Sequence, residues 1–99
     1  MFSTNKRVAR GVALLDEKRP GWATKVDLDR LNMSSVYDCV LGQVYGTYDR
    51  AMQALGWDGR GINAIEHGFY LPMMSEAWPD LNEEWKVFIE GRQEEMASV

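Results

Sequence analysis

The sequence predicts a mainly α protein: a compact single-domain bundle of about four helices over residues 1–99, with irregular connections and at most a short β pair. Three observations point there. Apolar residues recur at helical spacing at 8/12/15, 36/40/44 and 81/85/88. Glycine and proline punctuate the chain where these stripes end, at Pro20-Gly21, Gly46 and Gly56. Apolar residues make up 45 % of the chain, with four Trp, four Tyr and three Phe as bulk. That suffices for one core, since a chain of this length hides roughly two-thirds of its unfolded surface.

Each element has a local reason. The first helix is expected to start after Thr4 or Asn5, both good caps, and to run to about Lys18. Val8, Val12 and Leu15 form its buried stripe, with Gly11 alongside for close approach. Residues 22–35 read as irregular, with Val26, Leu28, Leu31 and Met33 as apolar points between charges. The weak alternation over residues 26–29 allows a short strand or an extended, pinned loop. Ser34 or Ser35 can cap a second helix reaching Tyr45. Its broad apolar side is Val36, Tyr37, Val40, Leu41, Val44 and Tyr45, opposite a ridge of small residues, Cys39, Gly42 and Gly46. This is expected to be the central helix, with Cys39 a small buried hydrophobe.

Thr47 can cap a third helix, Tyr48–Leu55, closed by Gly56. Residues 57–61 read as a loop built for positive φ. Residues 62–67 suit a single helical turn, and residues 68–72 an irregular or briefly extended segment. Any β pairing is expected to involve residues 26–29 or 62–71. Asp80 and Glu83 resemble a capping box for the last helix, whose stripe is Leu81, Trp85, Phe88, Ile89 and Met96. Two residues break the pattern. Asp16 lies near the end of the first helix, where the dipole disfavours a carboxylate, and Arg92 falls within the last apolar stripe. Either Arg92 lays its stem on the core while Asp16 caps the next turn, or specific ion pairs fix the packing.

Composition narrows the function classes. A single cysteine rules out an internal disulfide and fits a reducing compartment. No apolar run approaches the ~20 residues of a membrane span, and residues 1–10 lack the apolar core of a secretory signal. A soluble, cytoplasmic protein is the expectation. Net charge is −4, divided between residues 1–30 (seven bases, four acids, +3) and residues 31–99 (four bases, eleven acids, −7). An acidic total disfavours non-specific nucleic-acid binding.

Catalysis and metal binding find little support. His67 is the only histidine, so sites needing two imidazoles are excluded. A Cys39–His67 nucleophile–base pair is conceivable, but Cys39 projects onto the packing face. Gly56-Trp57-Asp58-Gly59-Arg60-Gly61 lacks the Lys-Ser/Thr ending of a phosphate loop. Asp27 and Asp29 lack the further ligands of a calcium loop. The expectation is no enzyme, no metal and no cofactor. The best motif-like feature is helix–turn–helix spacing over residues 41–55, with Gly46 at the turn. Its recognition face would be Tyr48, Asp49, Arg50 and Gln53, one base against one acid, which is poor equipment for a DNA groove.

The chain resembles small uncharacterised proteins encoded by phages of actinobacteria, mycobacteriophages in particular. The likeness rests on Val8-Ala9-Arg10-Gly11 with Leu14-Leu15-Asp16, on Pro20-Gly21-Trp22, and on Asp27-Leu28-Asp29-Arg30-Leu31 followed by Ser34-Ser35. It is densest over Asp38-Cys39-Val40-Leu41-Gly42-Gln43-Val44-Tyr45-Gly46, continues in Glu66-His67-Gly68-Phe69, and weakens after Pro72. The resemblance implies an intracellular phage product that acts on host factors, and no mechanism.

Two functional expectations follow. The first is an interaction module, monomeric or homodimeric, that binds a protein partner such as a bacterial host factor. Its anchors fall in residues 56–70: Trp57, Arg60 and Tyr70, with His67 at the edge, because loop aromatics and guanidinium groups are typical interface anchors. The competing role for Trp57 is a lid folded over the core. The second is a helix–turn–helix regulator using Tyr48, Arg50 and Gln53, for which Lys6, Arg7, Arg10 and Arg50 would need to form one basic patch.

Overall fold

Among the described residues, five α-helices and one 3₁₀ turn surround two stacked rings, Phe69 and Trp85, whose centroids lie 5.3 Å apart. The computed structural model describes residues 4–58, 61–72 and 75–97. In chain order the helices are α1 (Thr4–Lys18), α2 (Val40–Tyr45), α3 (Tyr48–Leu55), α4 (Ile62–Glu66) and α5 (Trp78–Ala97), with the 3₁₀ turn at Trp22–Lys25. The described residues include no strand. The mainly α expectation therefore holds, and the radius of gyration is 12.5 Å.

The frame is α1 against α5. Val8, Val12 and Leu15 face Leu81, Trp85 and Ile89, all buried. Gly11 permits the approach: a Cβ there would overlap the His67 carbonyl and come to 3.0 Å from the Trp85 ring. Trp22 closes the seam edge-on to Trp85 at 6.0 Å. Across its rim, Arg92 grips Asp16 with both guanidinium nitrogens, at 2.8 and 3.3 Å, while the Trp22 indole N–H donates to the same carboxylate at 2.9 Å. Of the two roles open to Asp16 and Arg92, the structure shows the ion pair, and the partners are each other.

Residues 26–39 form a pinned loop, and side-chain amides do the pinning. The Gln43 carboxamide accepts from the Asp27 amide (2.6 Å) and donates to the Asp27 and Asp38 carbonyls. Gln93 donates to the carbonyls of Ala23 and Val26, both at 2.9 Å, and Asn82 accepts from the Met33 amide at 2.8 Å. Backbone groups that a strand would satisfy in a ladder are met by three side chains instead.

The second helix is shorter than its periodicity predicts. It starts at Val40, not after Ser34 or Ser35. Ser35 Oγ accepts from the amides of Tyr37 and Asp38, holding a turn. Cys39 is the N-cap, its Sγ accepting from the Gly42 amide at 3.2 Å. Tertiary packing overrides the pattern: the Val36 carbonyl receives the Tyr48 amide of α3 at 2.8 Å. A Cβ on Gly42 would lie within 2.7 Å of the Val36 and Tyr37 carbonyls. Val36 and Tyr37, expected on the buried side, are turned outward at 52 % and 62 % exposure.

Further along, Thr47 caps α3 through Oγ1, and Gly56 ends it at φ 70°. Gly61 sits at φ −79°, an ordinary extended N-cap rather than a positive-φ position, and Gly59 lies outside the described residues. Positive φ falls instead at Gly68 (73°), where a Cβ would press on the α1 backbone at Val8. The last helix begins at Trp78, two residues before the expected Asp80 cap. The Ala77 carbonyl accepts the first helical bond and Ser75 Oγ takes the Ala77 amide. Asp80 therefore serves the helix as a first-turn acid. Phe88 and Met96, assigned to the buried stripe, are 37 % and 44 % exposed. A helix meeting the bundle over one narrow seam has no cover for them.

Candidate functional site

The turn at residues 33–36, the N-cap Cys39, the start of α3, residues 69–70 and the first residue of α5 enclose a cleft of about 270 Å³. Three aromatic rings define it. Tyr48 and Tyr70 lie 6.2 Å apart and tilted, while Tyr70 meets Trp78 edge-on at 5.8 Å. Phe69 and Cys39 contribute from the core side, and Met33 and Val36 from the turn. Among the described residues, no charged side chain lines it.

Local folding explains these positions. Tyr48 is the first residue of α3, so its ring leaves the helix beside the Val36 carbonyl that its own amide bonds. Trp78 opens α5 next to Pro79, which suits a first turn that needs no amide donor. Burial pushes the Tyr48 hydroxyl well above the usual phenol range, and the neighbouring Cys39, Tyr70, Asp49 and Asp58 add to this. Burial likewise raises the Cys39 thiol, against the opposing pull of the Gly42 amide. Cys39 is 2 % exposed, the small buried hydrophobe expected of it.

The loop residues proposed as anchors separate in space. Trp57 packs on His67 at a tilt, with centroids 4.8 Å apart, and approaches Phe69 at 6.2 Å, half-buried against the core. Its packing is that of a lid. The His67 Nδ1 lies 2.7 Å from the Asn63 carbonyl, and no hydrogen bond joins His67 to Cys39. Tyr70 belongs to the cleft, and Arg60 lies outside the described residues. Of the DNA-reading set, Arg50 and Gln53 are exposed while Tyr48 turns in toward Tyr70. Two of the four bases for a shared patch are engaged elsewhere: Arg7 donates to the Ile65 carbonyl and Arg10 to that of Glu66.

Sequence reasoning missed Tyr48 with Trp78 as partners of Tyr70, and missed Val36 and Tyr37 as surface. The available signal was the run Ser34-Ser35, which caps a turn as readily as a helix. Among the described residues, no group of three or more His, Cys, Asp or Glu side chains is placed to hold a metal ion, and no helix is long and apolar enough to cross a membrane. Comparison with family models, curated proteins and solved structures finds no match for this chain.

Proposed function

We propose that this protein is a cytoplasmic interaction module that captures another protein through the Tyr48–Tyr70–Trp78 cleft, with Val36 and Tyr37 as its outer shoulder. One observation carries the reading: three aromatic rings bound a cleft whose described lining carries no charged side chain, beside two large, outward-turned apolar side chains. Rings that bury area at low conformational cost are the usual anchors of protein interfaces. The resemblance to actinobacterial phage proteins supports a bacterial host protein as the partner. The reading moves the interface from Trp57 and His67, which pack on each other, to Tyr70 and its neighbours.

The test is affinity capture from an actinobacterial lysate, followed by reconstitution with the recovered protein made recombinantly. Val36→Asp and Tyr37→Asp are expected to reduce binding at least tenfold with unchanged melting temperature, whereas Lys86→Glu on α5 leaves it intact. Binding lost with Lys86→Glu and kept by the shoulder variants would overturn the site. Tight, sequence-selective DNA binding at physiological salt, abolished by Arg50→Ala, would replace it with the regulator reading.

A further inference from the structure

The rings that line the cleft are arranged to do more than bury apolar area. Tyr48, Tyr70 and Trp78 meet at centroid separations of 5.8 and 6.2 Å with one edge-on and one tilted contact. All three rings line the cleft, and neither of these contacts is a face-to-face stack. An aromatic face carries negative potential, and several faces around one space attract a cation. The cleft's volume, about 270 Å³, falls just below the range of small-molecule sites and suits one long side chain.

The stretch of chain that supplies three of the cleft's rings is acidic. Residues 61–85, which supply Phe69, Tyr70 and Trp78, contain five acids (Glu66, Glu76, Asp80, Glu83 and Glu84) and no lysine or arginine. Asp49 and Asp58 both act on the Tyr48 hydroxyl. Among the described bases, Arg30 is paired with Asp38 at 2.8 Å, and Arg50 folds toward Gly46.

From this geometry we infer that the cleft is an aromatic box for a cationic side chain, an arginine or lysine presented by the partner protein on a basic segment. The inference rests on the interaction reading above and names what the partner inserts. The ammonium or guanidinium group sits among the Tyr48, Tyr70 and Trp78 faces, its aliphatic stem lies along Met33 and Val36, and the surrounding acids draw the basic segment in.

Four acetylated tripeptide amides test it on the isolated protein, with glycine at both ends and arginine, lysine, trimethyl-lysine or norleucine in the middle. Binding is followed by NMR through the backbone amide signals of Val36, Tyr48 and Tyr70, which line the cleft and are present in every variant. The cationic peptides are expected to bind about tenfold or more tightly than the norleucine peptide. Trp78→Leu and Tyr70→Leu, each checked for an unchanged fold by circular dichroism, should erase that preference, whereas Trp78→Phe keeps part of it. Asp49→Asn with Asp58→Asn should weaken the cationic peptides alone. Equal or tighter binding of norleucine would overturn the inference in favour of an apolar anchor. Binding of no peptide would also overturn it. Tetramethylammonium chloride binding as tightly as the peptides would turn the site into one for a free small cation. If partner capture depends on Val36 and Tyr37 while norleucine wins here, the interaction reading stands and the cationic occupant falls.

Discussion

Two groups of aromatic residues divide the molecule, and they are used in opposite ways. At the α1–α5 seam, Trp22, Phe69 and Trp85 are at most 1 % exposed. Both indole N–H groups there have acceptors, Asp16 for Trp22 and the Gly68 carbonyl, at 2.7 Å, for Trp85. At the cleft, Tyr48, Tyr70 and Trp78 are half-buried, packed on the core at one side and lining the cleft at the other. A ring with full burial and a satisfied polar atom contributes stability; a ring held half-open contributes contact area for something else. Phe69 links the groups, stacking on Trp85 and reaching the cleft.

The largest effect should come from breaking the seam. Trp85→Ala removes the central ring and leaves the Gly68 carbonyl without its donor, and is expected to cost about 3–5 kcal/mol. For a domain of this size each kcal/mol shifts the melting temperature by roughly 4–8 °C, so a fall of tens of degrees is the expected calorimetric result. Trp78→Ala should cost about 1 kcal/mol, because that ring is only half-buried. Equal losses for the two variants would erase the distinction between seam and cleft.

A smaller effect should sharpen the boundary between the two regions. Gly42→Ala places a methyl against the Val36 and Tyr37 carbonyls, which are backbone and yield little. Overpacking of this kind costs about 1–3 kcal/mol, partly offset by a gain of roughly 1 kcal/mol in helix propensity. The variant should fold with a modestly lower melting temperature and altered chemical shifts at Val36, Tyr37 and Tyr48. Shifts confined to the α1–α5 seam would contradict the packing described.

The same contrast decides what could be read from the sequence. The seam was legible because its residues obey helical spacing: Val8, Val12 and Leu15, and Leu81, Trp85 and Ile89, are buried as the period requires. The caps Thr47 and Gly56 were legible because each acts within a turn of its own helix, and Gly11 because a glycine beside a helical stripe marks where another element packs close. The cleft depends on contacts that periodicity does not encode. Val36 and Tyr37 fit the α2 stripe, yet the Tyr48 amide captures the Val36 carbonyl and stops helix formation at Val40. The Gln43, Asn82 and Gln93 pins join residues far apart in the chain through ordinary polar side chains. Tyr70 was singled out as an anchor, but its partners lie on two other elements.

The smallest effect concerns the ion pair that fastens the seam. Arg92 holds the Asp16 carboxyl below its ordinary value; partial burial pushes the other way, and the Trp22 N–H lowers it further. A carboxyl whose folded pKa is depressed contributes its full stability above its unfolded pKa, near 4, and loses it as pH falls through the folded value. The Asp16–Arg92 coupling should thus be complete at pH 7 and absent well below pH 4. Both side chains are partly exposed, at 45 % and 29 %, so solvent screening limits a double-mutant cycle with Asp16→Asn and Arg92→Gln to roughly 0.5–1 kcal/mol at neutral pH. Asp16→Ala should cost more than Asp16→Asn, because alanine leaves the indole N–H of buried Trp22 without an acceptor while asparagine keeps one. Chemical denaturation of the four proteins of the cycle, and of Asp16→Ala, followed from pH 7 down to pH 2 measures both quantities. A cycle with no coupling at pH 7, in which Arg92→Gln alone still lowers stability, would show that Arg92 stabilises the seam through its stem and its 5.4 Å contact with the Phe88 ring, not through the charge on Asp16.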